Sequence, residues 1–93
     1  MVDTFLITYE LNGPRDSYSG LDAEIRAIDP SYWHCLRSTW MLNSSLTVSQ
    51  IRNRLASHIH SGDALLVIRV HRPAAWAGLS EVSGKWIRTR VAG

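Results

Sequence analysis

Residues 32–43, YWHCLRSTWMLN, decide the fold. They are strand-like from end to end, and successive side chains of a strand point to opposite faces. One face would carry His34, Leu36, Ser38, Trp40 and Leu42; the other would carry Trp33, Cys35, Arg37, Thr39 and Met41. Neither face is cleanly apolar. Two short strands joined by a tight turn or kink near Arg37-Ser38 fit that pattern, and a single bent strand is the alternative.

On the N-terminal side, residues 4–11 (TFLITYEL) are β-branched and aromatic, and read as a buried first strand. Asn12-Gly13-Pro14 then breaks the chain. Ser17 or Ser19 can cap a short helix over 20–28, where Leu21, Ile25 and Ile28 recur at helical spacing and Asp29-Pro30 stops it. On the C-terminal side, Thr47-Val48-Ser49-Gln50 is a capping box. It opens a helix with Val48, Ile51, Leu55 and Ile59 on one face, closed by Ser61-Gly62-Asp63 with Gly62 at the C′ position. Ala64–Val70 is a near-continuous β-rich run, read as an interior strand. Arg72-Pro73 marks a turn. A short helix is expected from Ser80 to about Val91, anchored by Val82, Trp86 and Ile87 and weakened by Gly84.

The order is therefore βαββαβ plus an appendage, the split βαβ or ferredoxin-like α+β sandwich. A single domain over 1–93 is expected, with its core at about 3–70 and the appendage at about 71–93. Such a sheet carries both helices on one face, so a second subunit or the tail must cover the other. A chain of 93 residues keeps much of its surface exposed, which favours a homodimer.

Composition excludes several classes. Hydrophobic residues at 45% and charged residues at 19% describe a foldable chain, not a disordered one. The longest uncharged apolar run falls far short of the ~20 residues of a membrane-spanning helix, so no membrane is expected. Asp3 and the lack of a basic n-region argue against a secretory signal. Cys35 is the one cysteine, which suits a reducing cytosol and a cytoplasmic protein. Charge is unevenly spread: residues 1–36 hold six acids and two bases, a net −4, whereas residues 37–93 hold eight bases and two acids, a net +6. Nine of the ten bases are Arg, whose planar fork suits phosphate, carboxylate and aromatic faces. That composition fits a nucleic acid or an acidic protein surface as partner, and a simply solvated basic face explains it at least as well.

Candidate sites follow from residue chemistry. Glu10 ends the first strand and could supply half of a symmetric carboxylate pair holding Mg²⁺, or could pair with an Arg at the sheet edge. Arg37, Arg52, Arg54, Arg69 and Arg72, with Arg88 and Arg90, could line a phosphate-tracking surface. Arg52 and Arg54, two apart on a helix, cannot both face it. Trp33 and Trp40 could stack on unpaired bases or fill the core or an interface; Trp76 and Trp86 join them as interface candidates. His58 and His60 do not share a helix face, and His34 and Cys35 diverge on a strand, so neither pair makes a metal or nucleophile site. No P-loop, dinucleotide Gly motif, HExxH or hydrolase elbow occurs.

The segment Asp3–Asn12 resembles the start of small bacterial and phage proteins labelled SinR-like, whose first strand ends in Tyr-Asp-Leu-Asn. The resemblance continues through Tyr18-Ser19-Gly20-Leu21, Tyr32-Trp33-His34, Ser38-Thr39-Trp40, Gln50-Ile51-Arg52 and Asp63-Ala64-Leu65-Leu66-Val67, and reaches the Trp-Ala-Gly-Leu run at 76–79. More distantly, the pattern is similar to the second CRISPR-associated protein of the spacer-acquisition complex and to virulence-associated protein D. Those are dimeric ferredoxin-like proteins described as metal-dependent nucleases or as non-catalytic nucleic-acid scaffolds. The resemblance implies a catalytic acid at Glu10 and a phosphate-placing Ser38. This chain departs at Glu10, where the relatives carry Asp, and the extra methylene changes the reach to a metal. The expectation is a dimeric nucleic-acid-binding module with weak or no nuclease activity, needing no cofactor. Alternatives are an Mg²⁺-dependent endonuclease using Glu10 of both subunits, and a phage or accessory protein that binds and inhibits a host protein.

Overall fold

The chain runs β1 (Asp3–Glu10), a 3₁₀ turn (Arg15–Tyr18), α1 (Ser19–Ile28), β2 (Trp33–Leu36), β3 (Thr39–Ser44), α2 (Val48–Ala56), β4 (Ala64–Val70) and α3 (Glu81–Arg90), in a computed structural model that describes residues 2–93. The four strands form one antiparallel sheet in the order β2-β3-β1-β4, the ferredoxin-like α+β arrangement, followed by a C-terminal helix. No helix among the described residues is long and apolar enough to cross a membrane.

Residues 32–43 are two strands turning at Arg37-Ser38. Their register shifts between the Trp33↔Met41 and Leu36↔Thr39 pairs, an irregularity that separates the mixed faces. Trp40 and Leu42 point to the helical side with Phe5, Ile7 and Tyr9, where Leu21, Ile25, Ile51 and Leu55 close the main core. Trp33 and Met41 point to the opposite side, beneath Ile87 and Val91. Alternation thus feeds two cores from one hairpin.

Several expectations need correction. β4 is an edge strand, not an interior one. Its apolar run faces both ways because Leu65 and Val67 pack on the main core, whereas Leu66 and Ile68 lie exposed on the other face. α2 ends at Ala56, so Ile59 follows the helix, and Gly62 at φ 90° serves the turn into β4. Val48 is exposed. No side chain caps α1, because the 3₁₀ turn leads straight into it and Ser17 Oγ instead donates to the Pro14 carbonyl at 2.7 Å. The capping box of α2 forms as expected, with Gln50 N–H to Thr47 Oγ1 at 3.1 Å and Thr47 N–H to Gln50 Oε1 at 2.9 Å.

α3 covers the β2–β3 half of the second face. Ser80 caps it, accepting from the Ser83 N–H at 3.2 Å. Ile87 is buried and Trp86 packs beside it, but Val82 is exposed and anchors nothing. Gly84 lets Trp76 pass close to the helix: a Cβ there would lie 3.2 Å from two ring atoms of Trp76, tight enough that the ring would have to shift by a few tenths of an ångström. The Thr4 hydroxyl fastens the end of this helix to β1, donating to Asn43 Oδ1 at 2.6 Å and accepting from the Ala92 N–H at 2.8 Å.

Candidate functional site

Two regions gather the residues marked by the sequence. The first is the end of the sheet where β1 runs out. The Tyr9 N–H donates to the Ser38 carbonyl at 3.2 Å, which holds the β2–β3 turn against the last residues of β1. Exposed Glu10 follows, in register with Ala64, and lines a shallow cleft of about 160 Å³ with Thr8 and Leu66. Glu10 and Ser38 therefore share one end of the sheet. No cluster of three or more His, Cys, Asp or Glu among the described residues could hold a metal, and Asp63, just before Glu10's register partner Ala64, is engaged by the Asn12 N–H, the His60 N–H and the Tyr18 hydroxyl. A single exposed carboxylate does not by itself fit a Mg²⁺ site, which takes its oxygen ligands in near-octahedral geometry.

The second region lies between the segment after β4 and the outer face of α3. Arg72, Pro73, Ala74, Trp76, Ile87 and Arg88 line an open groove of about 800 Å³. The Arg88 guanidinium stands over the Trp76 ring, 5.8 Å from its centroid, a cation–π placement. Arg72 reaches across from the other wall, Nη2 donating to the Gly93 carbonyl at 3.0 Å and Nη1 to the Arg88 carbonyl at 3.4 Å. Lys85, one turn before Arg88, is also exposed. Residues 64–93 hold five bases against one acid, Glu81. The groove is therefore cationic with an aromatic wall.

The remaining candidates are dispersed. Arg37 is exposed in the β2–β3 turn, and its carbonyl lies 3.1 Å from His34 Nε2. Arg52 is exposed on α2 and donates to Asn53 Oδ1. Arg54 is committed to α1: its Nε donates to Glu24 Oε2 at 2.9 Å, with Nη2 on the same oxygen. Arg69 is exposed on edge strand β4. Only Arg72 of these five reaches the groove. Trp33 and Trp40 are buried and fill the two cores, so neither is a surface platform or an interface side chain. Trp40 Nε1 donates to the Tyr9 hydroxyl at 3.0 Å, and the His34 ring stacks on its indole at 3.6 Å. Trp86 is half-buried, its Nε1 donating to the Ser31 carbonyl and its ring facing Arg90. Trp76 is open to solvent.

Charged groups elsewhere knit the fold. The Asp63 carboxylate accepts from the Asn12 N–H at 2.8 Å, the His60 N–H at 2.7 Å and the Tyr18 hydroxyl at 2.8 Å. The Asn12 N–H leads in holding Asp63 below its ordinary value. Desolvation and the same Asp63 contact push the Tyr18 phenol up. Glu24 is held down by Arg54 first and His58 second. Arg15 is pushed up by the Tyr9 hydroxyl, with Asp22 contributing.

The sequence names Arg88 only as one of seven basic candidates. The periodicity of α3 alone does not show that Arg88 meets Trp76, because that segment's path over the helix is set by packing. A small residue at Gly84 is the only local sign of a large group passing there. Compared with known proteins, the chain matches no family model and no curated sequence.

Proposed function

We propose that the protein is a dimeric nucleic-acid-binding module of the spacer-acquisition and virulence-protein-D type, working in the cytoplasm with weak or no nuclease activity. The groove carries this reading: Arg72 and Arg88 face each other beside Trp76, with Lys85 one turn away. Arginine forks suit phosphate oxygens, and a local excess of positive charge draws a polyanion. A second copy is the partner proposed for the uncovered half of the sheet, where Leu66 at 54% and Ile68 at 47% exposure stand beside an unpaired strand edge.

The test is a mobility-shift and cleavage assay on labelled DNA and RNA across a salt series. Arg72→Ala and Arg88→Ala are expected to weaken binding, and each lost phosphate contact lowers the salt slope by about one unit. No shift at low salt refutes the proposal and turns the search to a host protein.

One observation favours a second reading. The Tyr9–Ser38 backbone bond places Ser38 beside the strand that ends in Glu10, the two positions that the resemblance marks as catalytic. On that reading Glu10 of two copies would have to combine to hold Mg²⁺. Cleavage abolished by both EDTA and Glu10→Ala, in a protein that remains folded, would establish it; a shift without cleavage rejects it.

A further inference from the structure

We infer that the cationic groove takes unpaired nucleotides, with the backbone phosphate on Arg72 and Arg88 and one base in the apolar pocket behind Trp76. The inference rests on the nucleic-acid reading above and names the substrate form. Trp76 lines two adjoining cavities. One is the basic groove of about 800 Å³. The other is a pocket of about 380 Å³ walled by Leu6, Trp33, Met41, Leu79 and Ile87 beneath the same 73–76 segment. Both volumes fall in the roughly 300–1,000 Å³ range of small-ligand sites.

A phosphate site beside an apolar aromatic pocket suits a molecule anionic at one end and flat and weakly polar at the other. A nucleotide in a single strand has that form. Bases in a duplex are stacked and paired and cannot turn a face to Trp76, whereas an unpaired base can. Trp76 is 37% exposed, with Arg88 over its ring, so it offers surface for stacking. Trp33 lines the same pocket, so a second indole contributes to its apolar wall. An acidic peptide would also satisfy the arginines, but two arginine forks beside an aromatic wall match the alternation of phosphate and base along a single strand, so the nucleotide is favoured.

The experiment compares fluorescence anisotropy of a labelled short oligothymidine single strand with that of a duplex of equal length, using the intact protein. The wild-type protein is expected to bind the single strand at least about tenfold more tightly at equal salt. Trp76→Ala should weaken single-strand binding roughly 5- to 150-fold, the range found for losing one stacked base, and leave duplex binding unchanged. Trp76→Phe, which keeps a stacking face, should restore most of the loss. Equal single-strand and duplex affinity overturns the inference while the nucleic-acid reading survives. So does single-strand binding indifferent to Trp76→Ala. Binding of neither overturns both, and an acidic protein partner then takes the place of nucleic acid. The wild-type comparison needs no variant, so it decides even where a substitution disturbs the 73–79 segment.

Discussion

Replacing Thr4 by Val tests whether one hydroxyl holds α3, and with it the basic groove, on the sheet. Thr4 is 0% exposed, and Val nearly matches its shape, so the change removes an oxygen and little volume. Two short hydrogen bonds disappear, to Asn43 Oδ1 at 2.6 Å and from the Ala92 N–H at 2.8 Å, with a longer one to the Arg90 carbonyl at 3.4 Å. Asn43 is itself a junction, since its Nδ2 donates to the Arg90 carbonyl at 2.9 Å and its N–H to Asp29 Oδ2 at 2.9 Å. A typical hydrogen bond contributes about 1 kcal/mol net, and a group left without a partner costs ~1–3 kcal/mol. Asn43 and Ala92 are only partly buried, so water recovers part of that penalty and the expected loss is about 2 kcal/mol. For a domain of this size that lowers Tm by roughly 8–16 °C. Thr4→Ser keeps the hydroxyl and loses one methyl, at a cost of about 1 kcal/mol. Circular-dichroism melts and urea titrations of both variants give the comparison, and hydrogen exchange of the α3 amides locates the effect. A Thr4→Val loss within about 0.5 kcal/mol, or one smaller than that of Thr4→Ser, would refute the reasoning.

Gly84→Ala sets helix propensity, worth up to ~1 kcal/mol in favour of Ala, against a Cβ placed 3.2 Å from the Trp76 ring. The expected outcome is a Tm changed by only a few degrees with weakened single-strand binding, read by melting and anisotropy; unchanged affinity would show that Trp76 gives way freely. Glu24 and Asp63 are both held below their ordinary values of 4.5 and 3.8, so the unfolded chain binds more protons in that window. Their contributions are complete above those values and lost as pH falls through the folded ones. The urea midpoint should therefore drop on acidification below 4.5, with a flatter acid limb in Glu24→Gln and Asp63→Asn. Leu66→Asp combined with Ile68→Asp should convert a dimer to a monomer in sedimentation analysis without lowering Tm below that of the monomer. A monomeric wild type would dispose of the covered-face proposal.

Much of the architecture was legible in residue order. The alternating faces of 32–43, the Thr47–Gln50 capping box and the Asn12-Gly13-Pro14 break are local signals, each set by groups a few residues apart. They suffice for two strands at Trp33–Leu36 and Thr39–Ser44 and for the start of α2 at Val48. Apolar content is a weaker guide. Ala64–Val70 carries the same side chains that an interior strand would, yet it lies at the edge, because β1 takes the centre between β3 and β4. Trp33 and Trp40 show the same limit: type marks them as large anchors, but burial depends on which helix lands on which face.

The candidate sites divide along the same line. Ser38 lies beside the strand that ends in Glu10, 28 positions earlier, only because β1 pairs with β3 in this register. The groove is assembled from Arg72, Trp76 and Arg88, and no local periodicity links them. By itself the sequence determined the order of the elements, one helix cap and the excess of arginine in the second half of the chain, since those depend on neighbours or on composition. The tertiary structure alone decided which arginine stands over Trp76, which is spent on Glu24, and which half of the sheet is left open. Those outcomes rest on contacts between distant segments: α3 over Trp33 and Met41 on one face of the sheet, and α2 against α1 on the other.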